Sequence, residues 1–377
     1  MNFLSGLERQ AYEEALTDLL LKYRVKAVEA AAFLRITKAL VRYRLKGLDL
    51  DENGLIKTGN KVIAKISRPE VAQAFLSPAP DHIVRELLDR GAVTAKEAEL
   101  AALVPMADDI CVEADSGGHT DQGSHYVLIP AVLQLRDRMM KTYQYKKKVR
   151  IGAAGGIGTP EAAAAAFVLG AEFILTGSIN QCSVEAGISE AAKDMLQKID
   201  VQDTAYAPAG DMFEMKTKVQ VMKKGVFFPA RANKLKELYR RYGSLEDIDK
   251  KTRIQLQEKY FHQSFDQVYE GISNRLASTN REKELEKAEQ NPKRKMALVF
   301  KSYFDYTAGL AIEGGTWDRV NFQVHCGPAL GAFNQWVKGN LLEDWRNRHV
   351  DDMAEMMMTQ TAVLLDERLK AMTFCCS

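Results

Sequence analysis

The sequence predicts an α/β protein whose parallel strands form either an open sheet or a barrel. Helical patterns fill most of the intervals between five apolar runs, which leaves room for the crossovers of about a dozen or more residues that parallel strands require. Turn signals bound the five runs, as is typical of buried strands. The runs lie at residues 26–32, 61–67, 108–114, 149–154 and 172–177.

The strand predicted at residues 108–114 leads directly into the segment DSGGHTD, residues 115–121. This places His119 at the carboxyl end of a strand, where barrel enzymes carry their chemistry. Gly117 and Gly118 precede it, and their lack of side chains would let the imidazole ring lie against a planar ligand. The alternative is a surface histidine in a polar loop.

The stretch VRIGAAGGIGTPEAAAAAFVLGAEFILTGS, residues 149–178, predicts a strand, a Gly-Gly turn, a helix and a second strand. Thr159 suits the N-cap of that helix, and Pro160 suits its first position. Gly170 suits the position just beyond the last turn, where a left-handed backbone is common. These signals define the helix at both ends.

The glycines of the same stretch predict a cradle for a phosphate group. Gly155 and Gly156 would let the backbone approach an anion closely, and Gly177 and Ser178 place further N–H groups at the end of the next strand. Many (β/α)₈ barrels bind phosphate in this way at their seventh and eighth strands. The alternative is an ordinary βαβ unit whose glycines only form tight turns.

The composition is that of a globular protein with balanced charge. Among 377 residues, 52 basic and 50 acidic side chains leave a net charge of +2, which favours neither nucleic acid nor an anionic membrane as a partner. No apolar stretch reaches the roughly 18 residues of a spanning helix, and no signal-peptide pattern is present, so we expect a cytoplasmic protein. Five cysteines show no metal-ligand spacing, and Cys375 and Cys376 form a vicinal pair.

The character of the sequence changes after Ser178. Charged helical stretches dominate there, and β-branched runs are few. Examples of these stretches lie at residues 232–242, 245–258 and 280–290. We therefore expect a β/α barrel portion over residues 1–180, which would bind the ligand of the cradle, and a mainly helical module over residues 181–377.

Four stretches carry a resemblance to a known family. They are EADSGGHTD (residues 113–121), AAGGIGTPEAAAAAFVLGAEFILTGSINQ (153–181), APAGDMFEMKTKVQVMKKGVFFPARANKLKELY (207–239) and CGPALGAFNQWVKG (326–339). Together they resemble the trans-acting enoyl reductases of bacterial polyketide and polyunsaturated fatty acid synthases. That family is similar in its barrel to the nitronate monooxygenases, also called 2-nitropropane dioxygenases, and to the flavin-dependent enoyl-acyl-carrier-protein reductases.

The resemblance implies a TIM-type (β/α)₈ barrel that binds FMN and takes electrons from NADPH or NADH. The implied substrate is an α,β-unsaturated thioester on an acyl carrier protein, with synthase components as partners. Family members begin with a further segment that supplies the first two barrel strands, whereas this chain opens at Met1. We therefore expect an N-terminally incomplete barrel with about five and a half of eight strands. Its exposed edge would form a homo-oligomer or be covered by a segment supplied elsewhere.

The resemblance also implies roles for individual residues. Those implied to bind FMN are Lys65, Gly117, Gly118, Gly155, Gly156, Thr176, Gly177 and Ser178. Lys65 would reach the electron-rich edge of the flavin, or is simply a surface lysine. His119 is the implied catalytic residue, which donates a proton to the carbon next to the thioester or polarises its carbonyl. Glu113 would orient a polar partner.

Two other function classes remain open. An oxygen-using nitronate monooxygenase would share the Gly-Gly-His strand end and the phosphate cradle. A non-catalytic chain would dock to synthase components through its helical module and would bind no flavin. Reduction of bound flavin by NADPH separates the reductase from both alternatives.

Overall fold

The computed structural model describes residues 1–6, 10–279 and 281–374, so Cys375 and Cys376 lie outside the described residues. The strands are β1 (Asn2–Leu4), β2 (Ala27–Ala31), β3 (Asp49–Leu50), β4 (Ile56–Lys57), β5 (Lys61–Ile66), β6 (Asp109–Glu113), β7 (Gly118–Thr120), β8 (Arg150–Ala154), β9 (Phe173–Leu175), β10 (Thr204–Pro208) and β11 (Lys218–Met222). The helices are α1 (Gln10–Lys22), α2 (Lys38–Leu45), α3 (Pro69–Leu76), α4 (Asp81–Asp89), α5 (Ala95–Leu100), α6 (His125–Tyr143), α7 (Pro160–Val168), α8 (Glu190–Leu196), α9 (Phe228–Arg241), α10 (Lys250–Leu256), α11 (Phe265–Ser278), α12 (Glu282–Glu289), α13 (Pro292–Glu313), α14 (Pro328–Trp336) and α15 (Val350–Phe374).

The described residues divide into two compact units. The sheet unit takes its residues from Met1–Asp115, from Gln122–Leu175 and from the segment that begins at Thr361. The helical unit takes its residues from Ser116–Asp121 and Thr176–Gln360. The domain boundary predicted at residue 180 stays a prediction. Each unit contains residues from both sides of that position.

The sheet unit is built on six parallel strands in the order β1-β2-β5-β6-β8-β9. Each strand lies beside the next member of the series along the chain, as in a TIM-type (β/α)₈ barrel, and the predicted fold class is confirmed. The five predicted strands are present as β2, β5, β6, β8 and β9. β1 adds a parallel neighbour to β2, with Asn2 opposite Glu29 and Leu4 opposite Ala31. The carboxyl ends of all six strands therefore lie along one edge of the sheet.

The helix predicted after the Gly-Gly turn is present as α7. Thr159 is its N-cap, and its side-chain oxygen accepts a hydrogen bond from the backbone N–H of Ala162 at 3.4 Å. Pro160 is the first residue of the helix. Gly170 follows its last turn with a φ of +104°, a conformation that favours glycine. The capping signals in the sequence thus located both ends of α7.

The core of the helical unit is aromatic. Phe213, Phe228, Phe300 and Tyr303 are completely buried there, and the rings of Phe213 and Phe300 meet edge to face with centroids 6.2 Å apart. The predicted helical stretches are present as α9, as α10 with the π-helical turn Gln257–Phe261 that follows it, and as α12. α13 packs against α9, α11 and α12 and supplies much of this core.

The helical unit also contains a three-stranded antiparallel sheet, in the order β10-β11-β7, which the sequence analysis did not predict. β11 lies in the middle, so that Val219 has Ala207 opposite it on one side and His119 on the other. His119 therefore lies within a short strand and not in a loop that follows one. The three strands span only three to five residues each, too few to show a clear alternating pattern.

Two further observations concern membranes and thiols. A helix that crosses a bilayer needs about 20 predominantly apolar residues. Across the part of the chain that the structure describes, no helix meets that requirement for both length and hydropathy. Cys111, Cys182 and Cys326 are free thiols and are buried.

Candidate active site

Lys65 lies near the carboxyl end of β5, between two glutamates on neighbouring strands of the sheet unit. Its Nζ lies 3.3 Å from Oε1 of Glu29 in β2 and 3.4 Å from Oε1 of Glu113, the last residue of β6. Only 23% of the lysine side chain is exposed, so the description as a solvated surface lysine does not fit it.

The two carboxylates determine the charge of Lys65. Burial lowers the pKa of the ammonium, but attraction to Glu113 and Glu29 outweighs burial and the pKa is raised. The ammonium therefore keeps its proton throughout the neutral range. Glu113, which the sequence suggested would orient a polar partner, lies beside Lys65.

Gly155 and Gly156 both adopt positive φ angles, +88° and +68°, but their surroundings differ. A Cβ at Gly155 would lie 2.8 Å from the backbone oxygen of Asp115 and 2.9 Å from that of Ala114, so the backbone packs too closely there for any side chain. A Cβ at Gly156 would meet no described atom within 4 Å. Gly156 thus borders open space, which is the steric condition for close approach of an anion.

Beyond β9, the chain continues through Thr176, Gly177 and Ser178, which belong to the helical unit. Gly177 borders open space, since a Cβ there would meet no described atom within 4 Å. Both hydroxyls have protein partners. Thr176 Oγ1 donates to Oδ1 of Asn180 at 3.3 Å, and Ser178 Oγ accepts from the backbone N–H of Gly327 at 2.9 Å. A ligand at this turn would therefore rely first on backbone N–H groups.

Gly117 packs against the same turn within the helical unit. A Cβ at Gly117 would lie 2.7 Å from Cα of Cys326 and 2.7 Å from Oγ of Ser178, so no side chain fits without displacement. Gly118 has a φ of +89°, and a Cβ there would lie 3.7 Å from Nδ1 of His325. Close packing explains why residue 117 is a glycine, and the positive φ angle explains why residue 118 is one.

His119 pairs with a carboxylate. Its Nε2 lies 2.9 Å from Oδ1 of Asp211, and that oxygen also accepts the backbone N–H of Met212 at 3.0 Å. Burial raises the pKa of Asp211, but the hydrogen bond and the charge of His119 outweigh burial and the pKa is lowered. The imidazole side chain is 46% exposed. A partly exposed imidazole beside an ionised carboxylate is suited to hold a proton and to release it to a ligand.

Two residues near His119 could not be predicted as site residues from the sequence. Asp211 follows β10, and His325 forms an isolated β-bridge with Val221 of β11. Both belong to the helical unit, as His119 does. Asp211 lies within a stretch that carried the family resemblance, and His325 directly precedes another. Those stretches were the local signal for the regions around the two residues.

The candidate residues fall into two groups, one in each unit. The sheet unit holds Lys65, Gly155 and Gly156. The helical unit holds Gly117, Gly118, His119, Thr176, Gly177 and Ser178. Within the helical unit the structure brings Gly117 and Ser178 into close contact and places His119 beside Asp211.

Comparison with known proteins identifies the family. The chain matches the crystal structure of the enoyl reductase domain of MlnA, from the macrolactin biosynthesis cluster of Bacillus amyloliquefaciens, with a TM-score of 0.94. The two sequences are 49% identical, and the match covers 99% of this chain and 83% of that one. The chain belongs to this enoyl reductase family. The resemblance carried by the four sequence stretches is thereby confirmed.

Longer relatives of this chain are also known. It is 60% identical over 372 residues to the polyketide biosynthesis protein PksE of Bacillus subtilis, a match that covers 99% of the chain and 48% of PksE. It is 42% identical over 338 residues to a polyunsaturated fatty acid synthase polypeptide of Thraustochytrium sp., covering 88% of the chain and 22% of that polypeptide. The chain thus spans about half the length of PksE. Residues 242–322 match the family model for the inserted helical domain of acyl-carrier-protein S-malonyltransferase.

Proposed function

We propose that this chain is an FMN-dependent enoyl reductase that acts in trans in polyketide or polyunsaturated fatty acid biosynthesis. It would reduce the α,β double bond of enoyl thioesters on an acyl carrier protein, with NADPH or NADH as the electron donor. The observation that carries the proposal is the match to the enoyl reductase domain of MlnA over 99% of the chain. The pairing of His119 with Asp211 supports it, because the reaction needs a proton donor.

Taken separately, each unit contains residues suited to a flavin that carries a phosphate group. Gly156 in the sheet unit and Gly177 in the helical unit each border open space, so the backbone at both positions can approach an anion. Lys65 would attract the electron-rich edge of the ring, in competition with Glu29 and Glu113. When bound, FMN supplies the transfer of hydride from the nicotinamide to the β-carbon of the substrate.

His119 would complete the reduction by supplying a proton to the α-carbon. The carbon–carbon double bond then becomes a single bond, and NAD(P)H is oxidised to NAD(P)⁺. Asp211 stabilises the imidazolium before the transfer and holds the ring through Nε2. A loss of this acid would slow the proton step without changing the affinity for the cofactor.

The proposed function requires protein partners. An acyl carrier protein with a bound enoyl thioester would be the substrate, and other synthase components would be its source, in the cytoplasm. MlnA, PksE and the synthase polypeptide are named for such biosynthesis. The formation of a homo-oligomer stays a prediction from the sequence.

The test uses the purified chain with FMN added. We expect FMN to be retained through gel filtration, NADPH to reduce it rapidly without oxygen, and crotonyl-pantetheine to reoxidise it with formation of butyryl-pantetheine. Gly156→Asp should weaken FMN binding by about tenfold or more, because it places a charged side chain where the phosphate would lie. Gly91→Asp is the matched control, since Gly91 has a φ of +66° and also borders open space.

Three outcomes would contradict the proposal. Failure to bind FMN would favour a non-catalytic role in a synthase. Reduction of bound flavin by an alkyl nitronate but not by NADPH would favour the monooxygenase. Equal effects of the two aspartate substitutions would remove Gly156 from the cofactor site.

A further inference from the structure

His325 lies on the same face of the antiparallel sheet as His119. β11 places Val219 opposite His119 and Val221 opposite His325. Residues two apart on a strand point to the same face, and residues directly opposite each other on paired strands share a face. The two imidazoles therefore project from one face, at neighbouring positions along β11.

Hydrogen bonds fix which nitrogen of His325 carries the proton. The side-chain amide nitrogen of Gln323 lies 2.9 Å from Nε2 of His325, and an amide nitrogen can only donate. Nε2 is therefore the acceptor, and in the neutral ring the proton is on Nδ1. The buried hydroxyl of Thr307 lies 3.0 Å from Oε1 of Gln323 and 3.1 Å from the backbone oxygen of Phe304, and its single proton can go to either oxygen.

The surroundings of His325 favour its neutral form. Burial lowers its pKa, and the charge of His119 lowers it further, whereas Asp211 raises it by less than these two effects together. His119 pairs with a carboxylate, while His325 pairs with an amide. Two titratable groups with such opposed surroundings are typical of sites that divide acid and donor roles between them.

Nδ1 of His325 lies beside the glycine that precedes His119. A Cβ at Gly118 would lie 3.7 Å from Nδ1, and the glycine leaves that volume empty. None of the described residues accepts a hydrogen bond from this N–H. A neutral donor without a protein acceptor, one residue away from the acid, is placed to serve an oxygen of a ligand.

On the basis of the proposed function, we propose that His325 is a second catalytic residue: its neutral Nδ1–H donates a hydrogen bond to the thioester carbonyl oxygen, while His119 protonates the α-carbon. Negative charge develops on that oxygen as hydride reaches the β-carbon, so a donor already in place stabilises the transition state. The proton of His325 is not transferred, and the ring stays neutral throughout. Gln323 is a positioning residue, which keeps the proton on Nδ1.

The first experiment compares two substitutions of His325. His325→Leu removes the donor, whereas His325→Asn keeps an N–H near the position of Nδ1. We expect His325→Leu to slow reduction of crotonyl-pantetheine by about 10²- to 10³-fold, with reduction of FMN by NADPH unchanged, and His325→Asn to recover most of the rate. In infrared spectra, bound butyryl-pantetheine should show a carbonyl band at lower frequency in the wild type and in His325→Asn than in His325→Leu.

The second experiment needs neither substrate nor turnover. In ¹⁵N-resolved spectra of histidine-labelled chain at pH 7, His325 should be neutral with its proton on Nδ1. Gln323→Leu should shift the proton toward Nε2 and slow enoyl reduction by about tenfold, because the bond that fixes the tautomer is lost. This measurement remains decisive if His325→Leu fails to fold.

The outcomes separate this inference from the proposed function. If the wild type reduces crotonyl-pantetheine and His325→Leu does so equally fast with an unchanged carbonyl band, His325 is not catalytic and the proposed function stands. A charged His325 at pH 7, or a proton on Nε2, also overturns the inference alone. If the wild type reduces no enoyl thioester, both proposals fail.

Discussion

The candidate residues lie in two chemically different settings, one in each unit. In the sheet unit, Lys65 sits between Glu29 and Glu113, and neighbouring parallel strands hold all three charges in place. In the helical unit, His119 pairs with Asp211 on a small antiparallel sheet. The first setting holds a fixed charge, whereas the second holds an imidazole, a group that can act as an acid or a base.

The two settings suit different tasks. The lysine is suited to attract a ligand, and the imidazole is suited to transfer a proton. A lysine whose pKa is raised by two carboxylates keeps its proton and can act only as a fixed cation. An imidazole beside a carboxylate can give its proton away and recover it. We therefore expect substitutions in the sheet unit to change stability and cofactor affinity, and substitutions on the antiparallel sheet to change the rate.

His119→Ala is expected to have the largest effect. Loss of the proposed acid should slow enoyl reduction by about 10²- to 10⁴-fold, while FMN binding and its reduction by NADPH stay the same. Single-turnover absorbance measurements separate the two half-reactions. His82→Ala, at an exposed position of α4, is the matched control. An equal fall in flavin reduction would assign His119 to cofactor binding.

Gly117→Ala tests the packing beneath His119. The new methyl group would lie 2.7 Å from both Cα of Cys326 and Oγ of Ser178, so the backbone must shift. We expect the free energy of unfolding to fall by about 1–3 kcal/mol, together with a slower enoyl reduction. Urea denaturation provides the measurement, with Gly187→Ala as the control in open space. Similar stability in both variants would show that the close contact is not a constraint.

Lys65→Met tests the fixed charge in the sheet unit. Because the pKa of Lys65 is raised above 10.5, its contribution to stability is fully present below that pH and is lost as pH rises through the folded-state value. Removing the ammonium leaves two carboxylates side by side, so the free energy of unfolding at pH 7 should fall by about 1–3 kcal/mol.

The deficit of Lys65→Met should depend on pH in a defined way. It should shrink at strongly alkaline pH, where the wild type loses its own ion pairs, and also in acid, where the glutamates are protonated. The matched control is Lys57→Met, which changes an exposed lysine of β4. A deficit that does not vary with pH would mean that lost packing, and not charge, explains it.

The smallest effects are expected at helix N-caps, where the two units can be compared directly. Thr159→Ala in the sheet unit removes one capping bond, to the N–H of Ala162, and should lower the free energy of unfolding by about 1 kcal/mol. Ser189→Ala in the helical unit should have the larger effect, because its hydroxyl caps α8 and also donates to the backbone oxygen of Ala311 at 2.7 Å. Thermal unfolding measures both, and the reverse order would contradict this reasoning.

The sequence predicted the sheet unit better than the helical unit for a physical reason. Strands such as β5 and β8, and the caps of α7, depend on residues close together in the chain. The antiparallel sheet depends on pairing between short segments far apart, and Asp211 reaches His119 across 92 positions. No local pattern contains that information. The stretches that carried the family resemblance marked the right regions without showing which of their residues would meet.

The path of the chain limits how the two units can be divided. Residues Ser116–Asp121 belong to the helical unit, although the chain on both sides of them belongs to the sheet unit. A fragment over Thr176–Gln360 would carry Asp211 but not the imidazole it binds, and the edge of β11 would be open to other chains. A fragment that ends at Leu175 would carry His119 on a strand with nothing to pair. Transfer of this chain into another protein therefore has to keep both units together, since a cut near residue 180 would separate His119 from Asp211.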